Sequence, residues 1–346
     1  MAAMSSVRSP GRRQYSRLIA AGLAACGLLG VWAPAGWAAQ VTGSATGWTR
    51  QTPAASPSAR FVAAAASDPA ARDMVLFGGQ TGNRVLGDTW TWNGSTWTRR
   101  HPAVSPPARS SAAIAYDGEA RQVVLFGGLV SARRGLNDTW TWNGTRWTKR
   151  HPATSPSIRD GSATTYDAAA RQVVLFGGAS SSSRVLRDTW TWNGSTWTRR
   201  HPKVSPPART AASMTYDTAT GTAVLFGGLA PGPGSRVRVL GDTWTWNGTS
   251  WTRRHPRVSP PARFGASMAY DTATGDLVLF GGGGSAGRLL DDTWTWNGST
   301  WTEHHPAKHP AARYGTSMAY DATARGVVLF GGYNLSAYYN DTWIWR

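Results

Sequence analysis

Cysteine is nearly missing from this chain: Cys26 is the only one in 346 residues. A chain trimmed beyond it can form no disulfide, no thiolate zinc site and no cysteine nucleophile. Acidic side chains are also scarce, 18 against 36 lysines and arginines. Long apolar runs are lacking too, since Leu18 to Trp32 is too short to span a bilayer comfortably. No transmembrane helix is therefore expected in the mature chain.

The first 39 residues read as a cleaved export signal. Arg8, Arg12, Arg13 and Arg17 form a basic start, an apolar stretch follows, and small residues precede two cut sites, at Ala35 and Ala38. Arg12-Arg13 resembles a twin-arginine export motif, and Leu23-Ala24-Ala25-Cys26 a lipobox that would anchor the chain through a lipidated Cys26. The apolar run continues past Cys26, which favours a secreted product. Cleavage removes four of the 36 basic residues and none of the 18 acidic ones, leaving +14. That balance favours anionic partners such as acidic polysaccharide, cell-envelope polyanion or nucleic acid.

What the chain has in plenty is tryptophan, 20 in all, set in a repeat. DTWTWNGSTWTRRHP at residues 88–102 returns in close copies at 138–152, 188–202, 242–256 and 292–306, and a clipped DTWIWR ends the chain. Phe-Gly-Gly recurs at Phe77, Phe126, Phe176, Phe226, Phe280 and Phe330, with spacings of 49, 50, 50, 54 and 50. A steady period near 50 with all-β content is the signature of a propeller. Each unit divides into four short strands: in residues 263–302 these are RFGASMAYD, DLVLFGG, DTWTWN and STWTEH. Asn297-Gly298 between the last two is a strong hairpin signal.

These units resemble the kelch family, with arginine opening the first strand, Gly-Gly ending the second and tryptophan in the third and fourth. The resemblance covers residues 46–346 and implies a six-bladed kelch propeller with four antiparallel strands per blade, similar to exported bacterial kelch-repeat proteins and to the central domain of galactose oxidase. The copper chemistry of galactose oxidase needs a tyrosine crosslinked to cysteine, which a mature chain cannot supply. The catalytic residues of six-bladed kelch sialic-acid mutarotases cannot be placed one by one.

Without Trp32 and Trp37 of the leader, eighteen tryptophans remain, three for each of six blades, yet the last unit holds only Trp343 and Trp345. Trp48, in a stretch at 46–50 matching 95–99, supplies the missing one, so this N-terminal strand is expected to complete the last blade. Trp90 and Trp92 share a strand face, and a turn of two or four residues puts Trp97 on it too. That face is expected to pack on the neighbouring blade, with the outermost tryptophan the most exposed.

Antiparallel connectivity sorts the loops. Short, uniform turns lie on one face. The other carries the variable connections, and with Arg84, Arg133, Arg134, Arg184, Arg236, Arg238 and Arg288 it is basic. That face is the candidate site. Arg60, Arg109, Arg159, Arg209, Arg263 and Arg313 open the first strand of every blade near the channel mouth. They are expected either to pair with the DTW aspartates or to hold an anion. The next residue differs in each repeat: Phe61, Ser110, Asp160, Thr210, Phe264 and Tyr314. Phe61, Phe264 and Tyr314, joined by Tyr333, Tyr338 and Tyr339, are expected to form an aromatic wall facing a polar one that contains Asp160, which suits a sugar or another amphiphilic ligand. Packing between blades is the alternative role for these side chains.

No pair of carboxylates stands out as general acid and base. The histidines recur once per blade and cannot converge, while His304, His305 and His309 cluster with only Glu303 beside them. No metal or other cofactor is expected, and no nucleic-acid motif is present. Two functions remain: a monomeric, exported module that binds a carbohydrate, a polyanion or a protein, and an enzyme acting on a sugar at the channel mouth.

Overall fold

The computed structural model describes residues 46–131, 134–180, 184–233 and 236–346. Residues 1–45, Cys26 among them, and Arg133 lie outside the described residues. The chain folds as a six-bladed β-propeller in which each blade is a four-stranded antiparallel sheet. In the first blade the strands are Ala64–Asp68, Asp73–Phe77, Thr89–Trp92 and Trp97–Arg100. First strands of neighbouring blades pack against one another and so surround the axis.

The last blade takes Ser317–Asp321, Gly326–Phe330 and Thr342–Trp345 from the C-terminus and Trp48–Gln51 from the N-terminal side. Trp48 pairs with Trp345 and Arg50 with Trp343, the register in which Trp97 pairs with Trp92 and Arg99 with Trp90. The expected ring closure is therefore present, and the last blade has the same four strands as the others.

One set of contacts repeats at all six interfaces. The fourth-strand tryptophan reaches into the preceding blade, where its indole Nε1 donates to the threonine of DTW. Trp97 does so to Thr342 at 2.9 Å, Trp147 to Thr89 at 2.9 Å, and Trp48 to Thr293 at 2.8 Å. The same ring meets the Phe-Gly-Gly phenylalanine of that blade, with centroids 5.1 Å apart for Trp97 and Phe330 and 5.4 Å for Trp48 and Phe280. Each ring removes about 150–250 Å² from water, and the hydrogen bond satisfies its one polar atom in the interior.

Two local expectations are corrected. The fourth-strand tryptophans are not the most exposed: they are 2–3% exposed, whereas Trp90 and Trp343, the first tryptophans of their third strands, are half-buried. The cause is the register, which sets the outer tryptophan opposite the deepest one and against the preceding blade's phenylalanine. The first strand is also not continuous. Its third residue adopts a left-handed backbone in all six blades, at Val62, Ser111, Gly161, Ala211, Gly265 and Gly315, and in the fifth blade this separates Arg263–Phe264 from Ser267–Asp271.

The Asn-Gly hairpins use the four-residue option. Asn93 Oδ1 accepts from the N–H groups of Ser95 and Thr96, and Gly94 takes φ +96°, a conformation open to glycine at little cost. The asparagine side chain thus caps the turn as an Asx motif.

Replacing Trp48 with alanine removes a closing contact as well as a ring, so W48A is expected to cost about 3–5 kcal/mol in urea unfolding, comparable to W97A inside a continuous blade. A W48A cost much smaller than that of W97A would mean that the N-terminal strand does not close the ring.

Candidate functional site

The variable-loop face is built on a repeated arginine clip. Arg60 donates from Nη1 to Asp88 Oδ1 at 2.7 Å and from Nη2 to Asp88 Oδ2 at 2.8 Å. A second Nη1 bond goes to the Gly78 carbonyl at 2.9 Å, and Nε donates to the Ser58 carbonyl at 2.9 Å. Arg109, Arg159, Arg209, Arg263 and Arg313 make the equivalent bonds to Asp138, Asp188, Asp242, Asp292 and Asp341. Each arginine is 1–2% exposed with four of its five N–H donors in use, and Arg60 and Arg159 place Nη2 on a serine hydroxyl as well. The same aspartate accepts from the first tryptophan of its third strand, Trp90 to Asp88 at 2.7 Å.

Burial pushes the carboxyls of Asp88, Asp138, Asp188, Asp242 and Asp292 up, but the arginine's hydrogen bonds and charge, together with the indole, outweigh it and hold them below the usual carboxylate value. The aspartates ending the first strands behave oppositely. Burial raises Asp68, Asp117, Asp167, Asp271 and Asp321, the backbone N–H groups that cap them compensating only in part.

Just inside the clips, the six left-handed residues form a closed ring of backbone hydrogen bonds. Val62 N–H donates to the Gly315 carbonyl, Ser111 to Val62, Gly161 to Ser111, Ala211 to Gly161, Gly265 to Ala211 and Gly315 to Gly265, at 2.7–2.9 Å. The residue after each arginine is held between clip and ring, and it bridges to the residue after Phe-Gly-Gly: Phe61 to Gln80, Ser110 to Leu129, Tyr314 to Tyr333. Two variable positions per blade thus stand side by side on this face.

In the sixth blade both positions are aromatic, Tyr314 and Tyr333, and in the first blade one is, Phe61. The Phe61 ring lies 5.7 Å from Tyr314, 5.4 Å from Tyr333 and 5.5 Å from Tyr338, while Tyr333 and Tyr338 stack at 4.4 Å. Phe264 joins at the far end, 5.9 Å from Tyr314. Phe61, Tyr314, Tyr333 and Tyr338 line one side of a 780 Å³ cavity, and Gln80, Asn83, Ser110, Ser111, Ser131 and Arg134 supply polar groups to it. Tyr314 is 2% exposed, and burial followed by the neighbouring tyrosines raises its phenol far above the usual value.

The other residues singled out in the sequence lie elsewhere. Tyr339 turns away to cover the Arg313 guanidinium, 3.6 Å from its ring centre. Asp160 pairs in a short ladder with Ala179 and does not line the cavity. Gln80, Asn83 and Arg134 are lining residues that the sequence reading did not single out as a group. His304 Nε2 contacts Thr295 Oγ1 at 2.8 Å, and His305 lies 4.0 Å from Glu303. Among the described residues no cluster of three or more histidine, cysteine or acidic side chains could hold a metal ion, and no helix is long and apolar enough to cross a membrane.

No protein-family model and no characterised protein matches the chain.

The clips of Asp88, Asp138, Asp188, Asp242 and Asp292 make a pH-dependent contribution of defined sign. The folded value of Asp188 lies below 3.8, so the folded state binds fewer protons; the stabilisation is complete above 3.8 and is lost as pH falls through the folded value. D188N leaves Arg159 buried without its counter-charge and is expected to cost about 3–5 kcal/mol at pH 7. The gap to the parent protein, measured by urea unfolding, should close below pH 3.8. A gap independent of pH would show that charge is not what the clip contributes.

Proposed function

We propose that this is an exported kelch-type propeller that binds a carbohydrate on its variable-loop face, in the cavity between the sixth, first and second blades. The observation that carries this reading is the 780 Å³ cavity with four aromatic rings on one side and amide, hydroxyl and guanidinium groups on the other. Sugar rings present apolar C–H faces and a rim of hydroxyls, and a surface of this kind matches both. Tyr333 and Tyr338 provide a half-exposed platform already stacked at 4.4 Å, so little ordering is required on binding.

Binding is favoured over turnover because the residues lining the cavity include neither a carboxylate nor an imidazole, the groups that most often carry general acid–base chemistry. The six clip arginines hold the frame; Arg134 is the cation at the cavity, and it inclines the preference toward acidic sugars. The kelch assignment is supported by the six concordant repeats, and export to the cell exterior by the basic, apolar and small-residue segments of residues 1–39.

Glycan-array binding at low and high salt tests the reading. Retention of a defined set of glycans is expected, with Y338A lowering affinity at least tenfold, or about 1.4 kcal/mol, without loss of fold. Retention of no glycan would overturn the function, and unchanged retention by Y338A would overturn the site.

A further inference from the structure

A second feature of the same face lies outside the aromatic cavity. Where the loop leading into DTW meets the end of the fourth strand, the third and fifth blades each have a rim groove of 480 Å³, built from equivalent positions. In the fifth blade that groove holds Asp291, Glu303, His304 and His305. In the third blade the same positions are Arg187, Arg199, Arg200 and His201, and both grooves have an arginine alongside, Arg184 in the third and Arg288 in the fifth. The position immediately before DTW separates this blade from the rest: it is Gly87, Asn137, Arg187, Gly241, Asp291 and Asn340 in chain order.

The positive charge in the third groove has no acidic counterpart. Asp188 is the one acid lining it, and its carboxylate is occupied by Arg159 and the Trp190 indole. Arg200 is held by neutral partners, donating from Nε to Thr191 Oγ1 at 2.9 Å and from Nη2 to Gln172 Oε1 at 2.8 Å. In the first blade the equivalent Arg100 instead faces Asp73 at 3.4 Å. Among the described residues, Arg184, Arg187 and Arg199 make no ion pair. The Arg200 guanidinium is thus drawn down the sheet, while Arg184, Arg187 and Arg199, with the His201 imidazole, line one concavity.

We propose that the rim groove of the third blade is a binding site for a tetrahedral oxyanion, the sulfate or phosphate group of an anionic ligand. Planar guanidinium forks bind such groups through paired, charge-assisted N–H bonds, and several forks around one concavity satisfy more than one oxygen at once. The site is independent of the sugar-binding reading, since its lining shares no residue with the aromatic cavity.

The test is calorimetric titration of the protein with inorganic sulfate and with inorganic phosphate at an ionic strength held constant by chloride. Saturable binding of one equivalent is expected, and the anion bound more tightly identifies the ester carried by the natural ligand. The variant R187D/R199E should weaken binding at least tenfold. It should also keep its fold, because the fifth blade carries an acidic residue at both positions. R72E/R146E, which changes the net charge equally at exposed sites on the opposite face, should bind as the parent does. No saturable binding of either anion, or equal weakening in both variants, would overturn the proposal.

Discussion

The interaction on which the rest of this propeller depends is the arginine clip, because a single residue works in two blades at once. Its side chain ties the start of the first strand to the end of the second and the start of the third within its own blade. Its backbone belongs to the preceding one: Arg109 N–H donates to the Leu86 carbonyl, and Gly79 N–H donates to the Arg109 carbonyl. That shared use explains why the second strand ends in two glycines. Gly78 has a left-handed φ of +66°, and a Cβ there would press on the Arg109 carbonyl oxygen of the next blade. A buried ion pair is weak as a source of net stability, but a bidentate pair sets position and orientation sharply, and here it sets the angle between sheets.

The opposite end of each interface is fixed by a different device. There the fourth-strand tryptophan plugs into the neighbouring blade, its indole hydrogen bonded to threonine and its ring against phenylalanine. With clips and a backbone ring near the axis and tryptophan plugs farther out, each interface is fastened at two radii. Closure follows from the same economy: Trp48 makes the contact that the C-terminal repeat lacks, so the terminal segments meet inside one sheet.

Much of this was legible in the sequence because it repeats. Six copies of Phe-Gly-Gly and DTW, with one tryptophan missing at the end and a spare at position 48, are enough to count blades and close the ring. What repetition hides is any feature that does not depend on residue type. The left-handed residue after each clip is glycine in three blades but Val62, Ser111 and Ala211 in the others. There the hydrogen-bonded ring overrides local preference, and no side chain marks it. The length of the Asn-Gly turn was open for a related reason: the asparagine side chain, which can stand in for a backbone acceptor, makes the longer loop as good as the shorter one. The aromatic side of the cavity could be read from where the repeats diverge. Tyr339 could not face it together with Tyr338, because neighbours in extended backbone point to opposite sides, and Tyr339 covers the Arg313 clip instead.

The constraint also explains where function can reside. A position whose side chain serves a clip or a plug must be the same in all six blades, so it cannot distinguish one ligand from another, and the ring positions contribute through their backbone. Only the residue after each arginine, the residue after Phe-Gly-Gly and the loop leading into DTW escape that demand, and all three lie on one face. Variation there costs the frame little: the same bridge holds Tyr314 to Tyr333 in one blade and Ser110 to Leu129 in another. The two rim grooves carry this furthest. One backbone shape surrounds arginines in the third blade and acidic residues with histidines in the fifth. A rigid, repetitive frame thereby presents chemically distinct recognition surfaces around a single rim, each free to change without disturbing the next.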